Sequence, residues 1–208
     1  MNGEFDDIRP YADGEVKQAV KDLLADRQFA HILHSLVPWL PACVRNRLIR
    51  WAFIGINTTL QFQLRYMKPL VRRILRKCST GYTFRHDGIE PGPERYTFIS
   101  NHRDIVLDSA ILSYLLHEDG FPTTCEIAIG DNLLIYPWIR KLVKLNKAFT
   151  VQRGVSARTL LESSQKMSRY MHYAINVKHE NIWIAQREGR AKDSNDRTQE
   201  SVLKMMSM

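Results

Sequence analysis

The sequence predicts an α/β fold: a layered mixed sheet with flanking helices, preceded by a basic, amphipathic helical N-terminal region. From Gly81 onward, short apolar runs bounded by turn residues alternate with longer stretches of helical periodicity, the order that builds a layered sheet with parallel pairing. Before Gly81 the chain carries arginine-rich amphipathic stretches and no strand pattern. At 208 residues with 44% hydrophobic content, the chain is long enough to bury a sizeable core, which sets disorder aside. The organisation read from these features is a helical region over 1–80 and an α/β domain over 81–208.

The N-terminal region divides by charge. Residues 1–26 are acidic through Glu4, Asp6, Asp7, Asp13, Glu15, Asp22 and Asp26. From Arg27 to His86 there is no Asp or Glu, while Arg45, Arg47, Arg50, Arg65, Lys68, Arg72, Arg73, Arg76 and Lys77 accumulate. Trp39, Trp51, Phe53, Phe62 and Tyr66 are interleaved with these cations, the composition of helices that lie in a headgroup region. A basic helical hairpin packed on the following domain has the same pattern. Neither the segment between Arg27 and Arg45 nor that between Arg50 and Arg65 reaches the roughly 20 clean apolar residues that a spanning helix needs. The formal charge of +8 points to an anionic partner without naming it.

In the second region Tyr82–Arg85 and Tyr96–Ser100 read as strands around the turn signal Pro91-Gly92-Pro93, and Asp108–Glu118 reads as a helix closed near Gly120. Thr124–Ile129 reads as a strand, Pro137–Leu145 as a helix opened by proline, and Ala148–Gln152 as a strand. Ala157–Val177 follows as a long helix, Asn181–Ala185 as a strand, and Arg197–Met208 as a helix cut off in mid-pattern, so that the chain is expected to be the front part of a longer protein. Cys43, Cys78 and Cys125 are odd in number and form no CxxC pair, which indicates neither a disulfide framework nor a zinc site. The first residues lack the positive and apolar segments of a signal peptide, and a reducing cytosol is expected.

Three strand ends carry candidate chemistry. The strand ending at Ser100 runs into Asn101-His102-Arg103-Asp104, with Asp108 four residues further. A histidine at a strand end, with a carboxylate to fix its tautomer, suits general-base work. Asp108 and Asp104 are both close enough to be that carboxylate. His-Arg-Asp also occurs in kinase catalytic loops, but the asparagine expected five positions on is Ser109 here and no glycine-rich loop exists. A lone histidine is more often structural. What changes the balance is that the next strand ends at Arg153-Gly154 and the last at Glu188-Gly189-Arg190. Parallel strands would gather these ends at one edge of the sheet.

With these motifs the sequence resembles the glycerolipid acyltransferase family, which includes lysophosphatidic acid and glycerol-3-phosphate acyltransferases. The resemblance covers roughly Thr97 to Arg190. Asn101-His102 with an aspartate is similar to the family's histidine-aspartate motif, Phe149 to Gly154 to its block ending in a substrate-binding arginine, and Glu188-Gly189-Arg190 to its Glu-Gly block. Asn132 to Leu145, with Tyr136-Pro137-Trp138, resembles the segment before the second block. Three departures stand out. The family spacing would put the acid at position 107, which is Leu107; the usual proline before Glu-Gly is Arg187; and the final block, an apolar strand ending in proline, has no counterpart.

The resemblance implies transfer of an acyl group from acyl-CoA or acyl-ACP to a hydroxyl, with no acyl-enzyme. The acceptor would be an anionic lysolipid or glycerol phosphate. His102 would be the base with Asp108 or Asp104 behind it, and Arg103, Arg153, Gly154, Glu188, Gly189 and Arg190, with Lys192, would bind substrate. No cofactor and no metal are expected; the basic N-terminal helices with their aromatics imply a peripheral position on the cytoplasmic face of a membrane, and no recognised nucleic-acid motif is present. Two other readings compete: a membrane-surface lipid-binding protein without turnover, and a basic nucleic-acid-binding protein.

Overall fold

The computed structural model describes residues 3–153, 157–193 and 195–208. Its centre is a sheet of β1 (Thr97–Ser100), β2 (Cys125–Gly130), β3 (Ala148–Val151) and β4 (Asn181–Ala185), in the order β1-β4-β2-β3. Every pairing among these strands is parallel. Ser100 lies opposite Ala185 and Gly130 opposite Val151, so the strands finish nearly level and their C-terminal ends form one edge. Parallel strands are covered on both faces, which explains the unbroken apolar run Ile182-Trp183-Ile184, buried throughout.

The helices between the strands provide that cover. They are α6 (Leu107–Glu118), α7 (Pro137–Leu145), α8 (Ala157–Asn176) and, after β4, α9 (Glu200–Met206). On one face Phe149, Ile182 and Ile184 pack with Met167, Tyr170, Met171 and Ala174 of α8, Met205 of α9, and Phe5 and Ile8. On the other face Cys125, Ile127, Ala148 and Trp183 pack with Leu116 of α6 and Phe121. Glu126 is buried on β2, where its carboxylate accepts from the Tyr170 hydroxyl and pairs with the Lys178 ammonium. A buried carboxylate is tolerated there because both oxygens are engaged.

The N-terminal region is helical: α1 (Asp13–Leu24), α2 (Arg27–Leu36), α3 (Ala42–Ala52), α4 (Thr59–Phe62), a π-helical turn (Gln63–Met67) and α5 (Lys68–Cys78). Asp26 caps α2 by accepting from the amides of Gln28 and Phe29. Val16, Ala19, Val20 and Leu23 of α1 form a cluster with Phe62, Leu145 and, partly buried, Trp138 and Leu142 of α7. Val71 of α5 meets Ala110 and Tyr114 of α6, and the Gln63 amide donates to the Asn146 carbonyl at 3.1 Å. Thus α1, α4 and α5 are fastened to the α/β body. In contrast, α3 buries no residue. Around it Trp39 is 74% exposed, Trp51 66%, Leu36 65% and Ile54 64%. Among the described residues no helix is long and apolar enough to cross a membrane.

Two elements differ from expectation. Tyr82–Arg85 forms no strand. β1 is an edge strand and its outer edge stays unpaired among the described residues; the Tyr82 ring instead stands edge-on to Tyr114 of α6. The last helix begins at Glu200 and not Arg197, because the Gln199 amide is held by the Gln186 carbonyl at 2.9 Å, which keeps Gln199 extended.

Candidate active site

His102 follows β1 by two residues, past the point where the ladder to β4 ends. Its Nδ1 lies 3.1 Å from Asp108 Oδ2. That same oxygen accepts from the backbone amides of Arg103 at 2.8 Å and Asp104 at 3.0 Å. Three donors thus converge on one carboxylate oxygen, and a carboxylate acceptor requires the proton on Nδ1. The other ring nitrogen, Nε2, has no protein partner among the described residues. The Trp183 ring stands edge-on to the imidazole at a centroid distance of 6.2 Å, and its indole N–H donates to Ser100 Oγ at 3.0 Å.

Asp104 has a different task. Its Oδ1 accepts from the amides of Val106 at 2.9 Å and Leu107 at 2.8 Å, closing the turn that starts α6. The amides of Leu107 and then Val106 hold its carboxyl below the usual carboxylate range. Of the two aspartates left open by the sequence, Asp108 meets the histidine and Asp104 closes the turn that leads into α6.

The other two strand ends arrive beside this pair. Arg153, just past β3, donates its amide to Asp131 Oδ1 at 3.2 Å, and its guanidinium lies 3.3 Å from Glu188 Oε1. Gly154 lies outside the described residues. Gly189 has a φ of 71°, a left-handed conformation that glycine adopts without strain, and it turns Glu188 and Arg190 to the site. A cavity of about 140 Å³ is lined by His102, Trp183, Gly130, Arg153, Gly189 and Arg190. A second, of about 300 Å³, shares Ala128, Gly130, Arg153 and Ala185 with the first. Its wall is apolar through Val151, Met167, Ile184, Val202 and Met205, and Arg187, Glu188 and Gln199 also line it. Arg103 lines neither cavity; its guanidinium donates to the Asp193 carbonyl at 2.6 Å. Lys192 is exposed and lines neither.

Sequence reasoning missed Gly130. A Cβ there would sit 2.8 Å from Arg153 Nε and 2.5 Å from Asn132 Oδ1, so only glycine lets the arginine cross the end of β2. The available signal was a glycine closing the apolar run Ile127-Ala128-Ile129. It also missed Asp196, whose carboxylate accepts from the His102 amide at 2.8 Å. No local pattern in the polar loop 191–199 announced it. Among the described residues no three His, Cys, Asp or Glu side chains gather as metal ligands.

A comparison with curated proteins returns no match. The model of the Acyltransferase family matches residues 83–201, the segment that carries the sheet, the His102–Asp108 pair and both arginine-bearing turns. The chain therefore belongs to the acyltransferase family, the family of glycerolipid acyltransferases such as the lysophosphatidic acid and glycerol-3-phosphate enzymes.

Proposed function

We propose that this acyltransferase moves a fatty acyl group from an acyl-CoA or acyl-ACP thioester to a hydroxyl of an anionic glycerolipid acceptor, with His102 as general base. The observation that carries the reading is the His102–Asp108 pair opening on a cavity that Arg153 and Arg190 also line. Nε2 takes the proton of the acceptor hydroxyl as its oxygen attacks the thioester carbonyl carbon. Asp108 stabilises the imidazolium that forms. The C–S bond then breaks, and the departing thiolate recovers the proton from Nε2. The oxyanion is met by donors of the Gly189-Arg190 turn, whose backbone amides have no protein acceptor among the described residues. Arg153 and Arg190 bind the acceptor's anion by charge-assisted hydrogen bonds, and Glu188 orients Arg153. The apolar wall of the larger cavity receives the acyl chain.

The N-terminal helices bring the site to an anionic bilayer at the cytoplasmic face. The support is the exposed set Leu36, Trp39, Trp51 and Ile54, beside an acid-free stretch rich in arginine. Each basic side chain near the surface contributes about 1 kcal/mol, and the apolar side chains add a part that salt does not screen.

Purified protein, an acyl thioester and a panel of glycerol-3-phosphate, lysophosphatidic acid and a neutral lysolipid would test the chemistry through thiol release. The expected result is release only with an anionic acceptor present; release of equal rate with every acceptor, or none at all, overturns the reading. Vesicle flotation tests the surface. Binding to anionic vesicles should weaken with salt without vanishing, and an oligonucleotide should not compete.

A further inference from the structure

We propose that Asp196 is a positioning residue for His102, holding its main chain where the strand ladder no longer can. This rests on the reading of His102 as the base. The ladder between β1 and β4 runs out at Ser100 opposite Ala185, with a last bond from the Gln186 amide to the Ser100 carbonyl at 2.9 Å. His102 lies beyond it. Asp108 fixes the ring at Nδ1, but a ring held only at one nitrogen still moves with its own Cα.

Both polar groups of the His102 main chain are taken by one segment, the loop after the Glu188-Gly189-Arg190 turn. Its N–H donates to Asp196 Oδ2 at 2.8 Å, and its carbonyl accepts from the Ala191 amide at 2.7 Å. The loop is itself tied down. The Gln186 side-chain amide donates to the Asp196 carbonyl at 2.7 Å and to Asn101 Oδ1 at 3.2 Å, while Thr198 Oγ1 donates to Gln186 Oε1 at 3.0 Å. The Arg103 guanidinium holds the Asp193 carbonyl. Arg103 therefore contributes to this clamp.

The Asp196 side chain is 2% exposed. Burying a carboxylate costs free energy unless it is bonded, so its place there needs a reason, and the His102 amide supplies one. Its second oxygen, Oδ1, is buried without a hydrogen-bond partner and faces Arg187 Nε at 3.9 Å, an atom in the same condition. Arg187 lines the larger cavity beside Glu188. The residue standing where the family has proline thus compensates the charge of the carboxylate that holds the histidine.

The test uses the full chain and the thiol-release assay. Removing a group that orients a reacting side chain typically costs about 10- to 100-fold in activity, so Asp196→Ala should lower kcat by that factor. KM for thioester and acceptor should stay within about two-fold, since the residue touches neither. Asp196→Asn, whose amide oxygen still accepts from the His102 N–H, should recover kcat to within about five-fold of the native value. Should Asp196→Ala not fold, Asp196→Leu fills the volume without an acceptor and takes its place. Amide hydrogen exchange at His102 gives a readout independent of turnover: slow in the native chain and in Asp196→Asn, fast in the alanine variant. If the native chain transfers no acyl group, the reading of His102 as the base fails, and exchange alone decides whether the clamp exists. Native kcat in Asp196→Ala, equal losses in the alanine and asparagine variants, or an unprotected His102 amide in the native chain would each overturn the proposal.

Discussion

Replacing Asp108 with asparagine removes one charge and leaves an oxygen where Asp108 Oδ2 now stands. Three donors converge on that oxygen: His102 Nδ1 and the amides of Arg103 and Asp104. The amide oxygen of asparagine can therefore occupy the same place, so the turn and the tautomer of His102 should survive. What is lost is the attraction between the carboxylate and the imidazolium that forms during proton transfer. Unit charges about 4 Å apart attract by about 4 kcal/mol at an effective dielectric of 20, and spreading the charge over ring and carboxylate reduces this to about 3. At about 1.4 kcal/mol per decade that is on the order of 100-fold in rate. The lost attraction belongs to the transition state of proton transfer, so the loss should fall on kcat with little change in either KM. Thiol release with saturating thioester and acceptor measures it, and thermal denaturation shows that the fold is kept. A rate within about three-fold of native would mean that no positive charge develops on His102, and the base mechanism would be refuted.

Asp104→Ala should lower stability by about 1 kcal/mol through the lost bonds to Val106 and Leu107, with a smaller rate loss than Asp108→Asn; thermal melts and thiol release give both. The reverse order of the two rate losses would assign the base's partner to Asp104. Arg153→Ala should raise KM for an anionic acceptor about 10- to 100-fold, the worth of a charged hydrogen bond, and leave the thioester KM nearly unchanged; equal effects would remove Arg153 from acceptor binding. Arg9, 2.6 Å from Glu15 Oε2, lowers the Glu15 carboxyl from 4.5 to about 2. A depressed carboxyl stabilises the fold above its unfolded pKa and loses that contribution as pH falls through the folded one. Glu15→Gln should therefore lower Tm at neutral pH, with the gap to native closing between pH 4.5 and 2; a pH-independent gap would sink the argument.

What the sequence revealed and what it hid divide along physical lines. The helix over Pro137–Leu145 and the strand over Asn181–Ala185 were legible to the residue, since proline at a first turn and an apolar run on a parallel strand are local signals. Parallel order made the meeting of His102, Arg153 and Arg190 legible as well, because strand ends in such sheets share an edge. Tyr82–Arg85 carries the composition of a strand but pairs with none, and pairing is a property of the sheet. The segment Arg190 to Arg197, with Lys192, Asp193 and Asp196, has the charge pattern of a solvated surface loop. It is drawn inward at Ala191, whose amide donates to the His102 carbonyl, and at Asp196, whose carboxylate accepts from the His102 amide, contacts set by the tertiary fold and not by the local sequence.

The displaced aspartate shows how a departure from a motif can leave its chemistry intact. An acid at position 107 would sit at the first residue of α6, and Asp108 sits one residue later, rotated by about 100° about the helix axis. Such a shift would carry the carboxylate away from the histidine if the helix began in the same place relative to β1. Here five residues separate His102 from Asp108, and the turn that they form is drawn in from both sides. Asp104 Oδ1 gathers the amides of Val106 and Leu107, which winds the added residue into the turn before the helix. Asp108 Oδ2 gathers the amides of Arg103 and Asp104, which pulls the start of the turn against the helix N-terminus. Side chains in a first turn lean toward the N-terminal end, where the dipole favours a negative charge. The two aspartates therefore depend on each other. Asp104 sets where α6 begins, and that start point brings the carboxylate of Asp108, and not a residue at 107, to Nδ1 of His102.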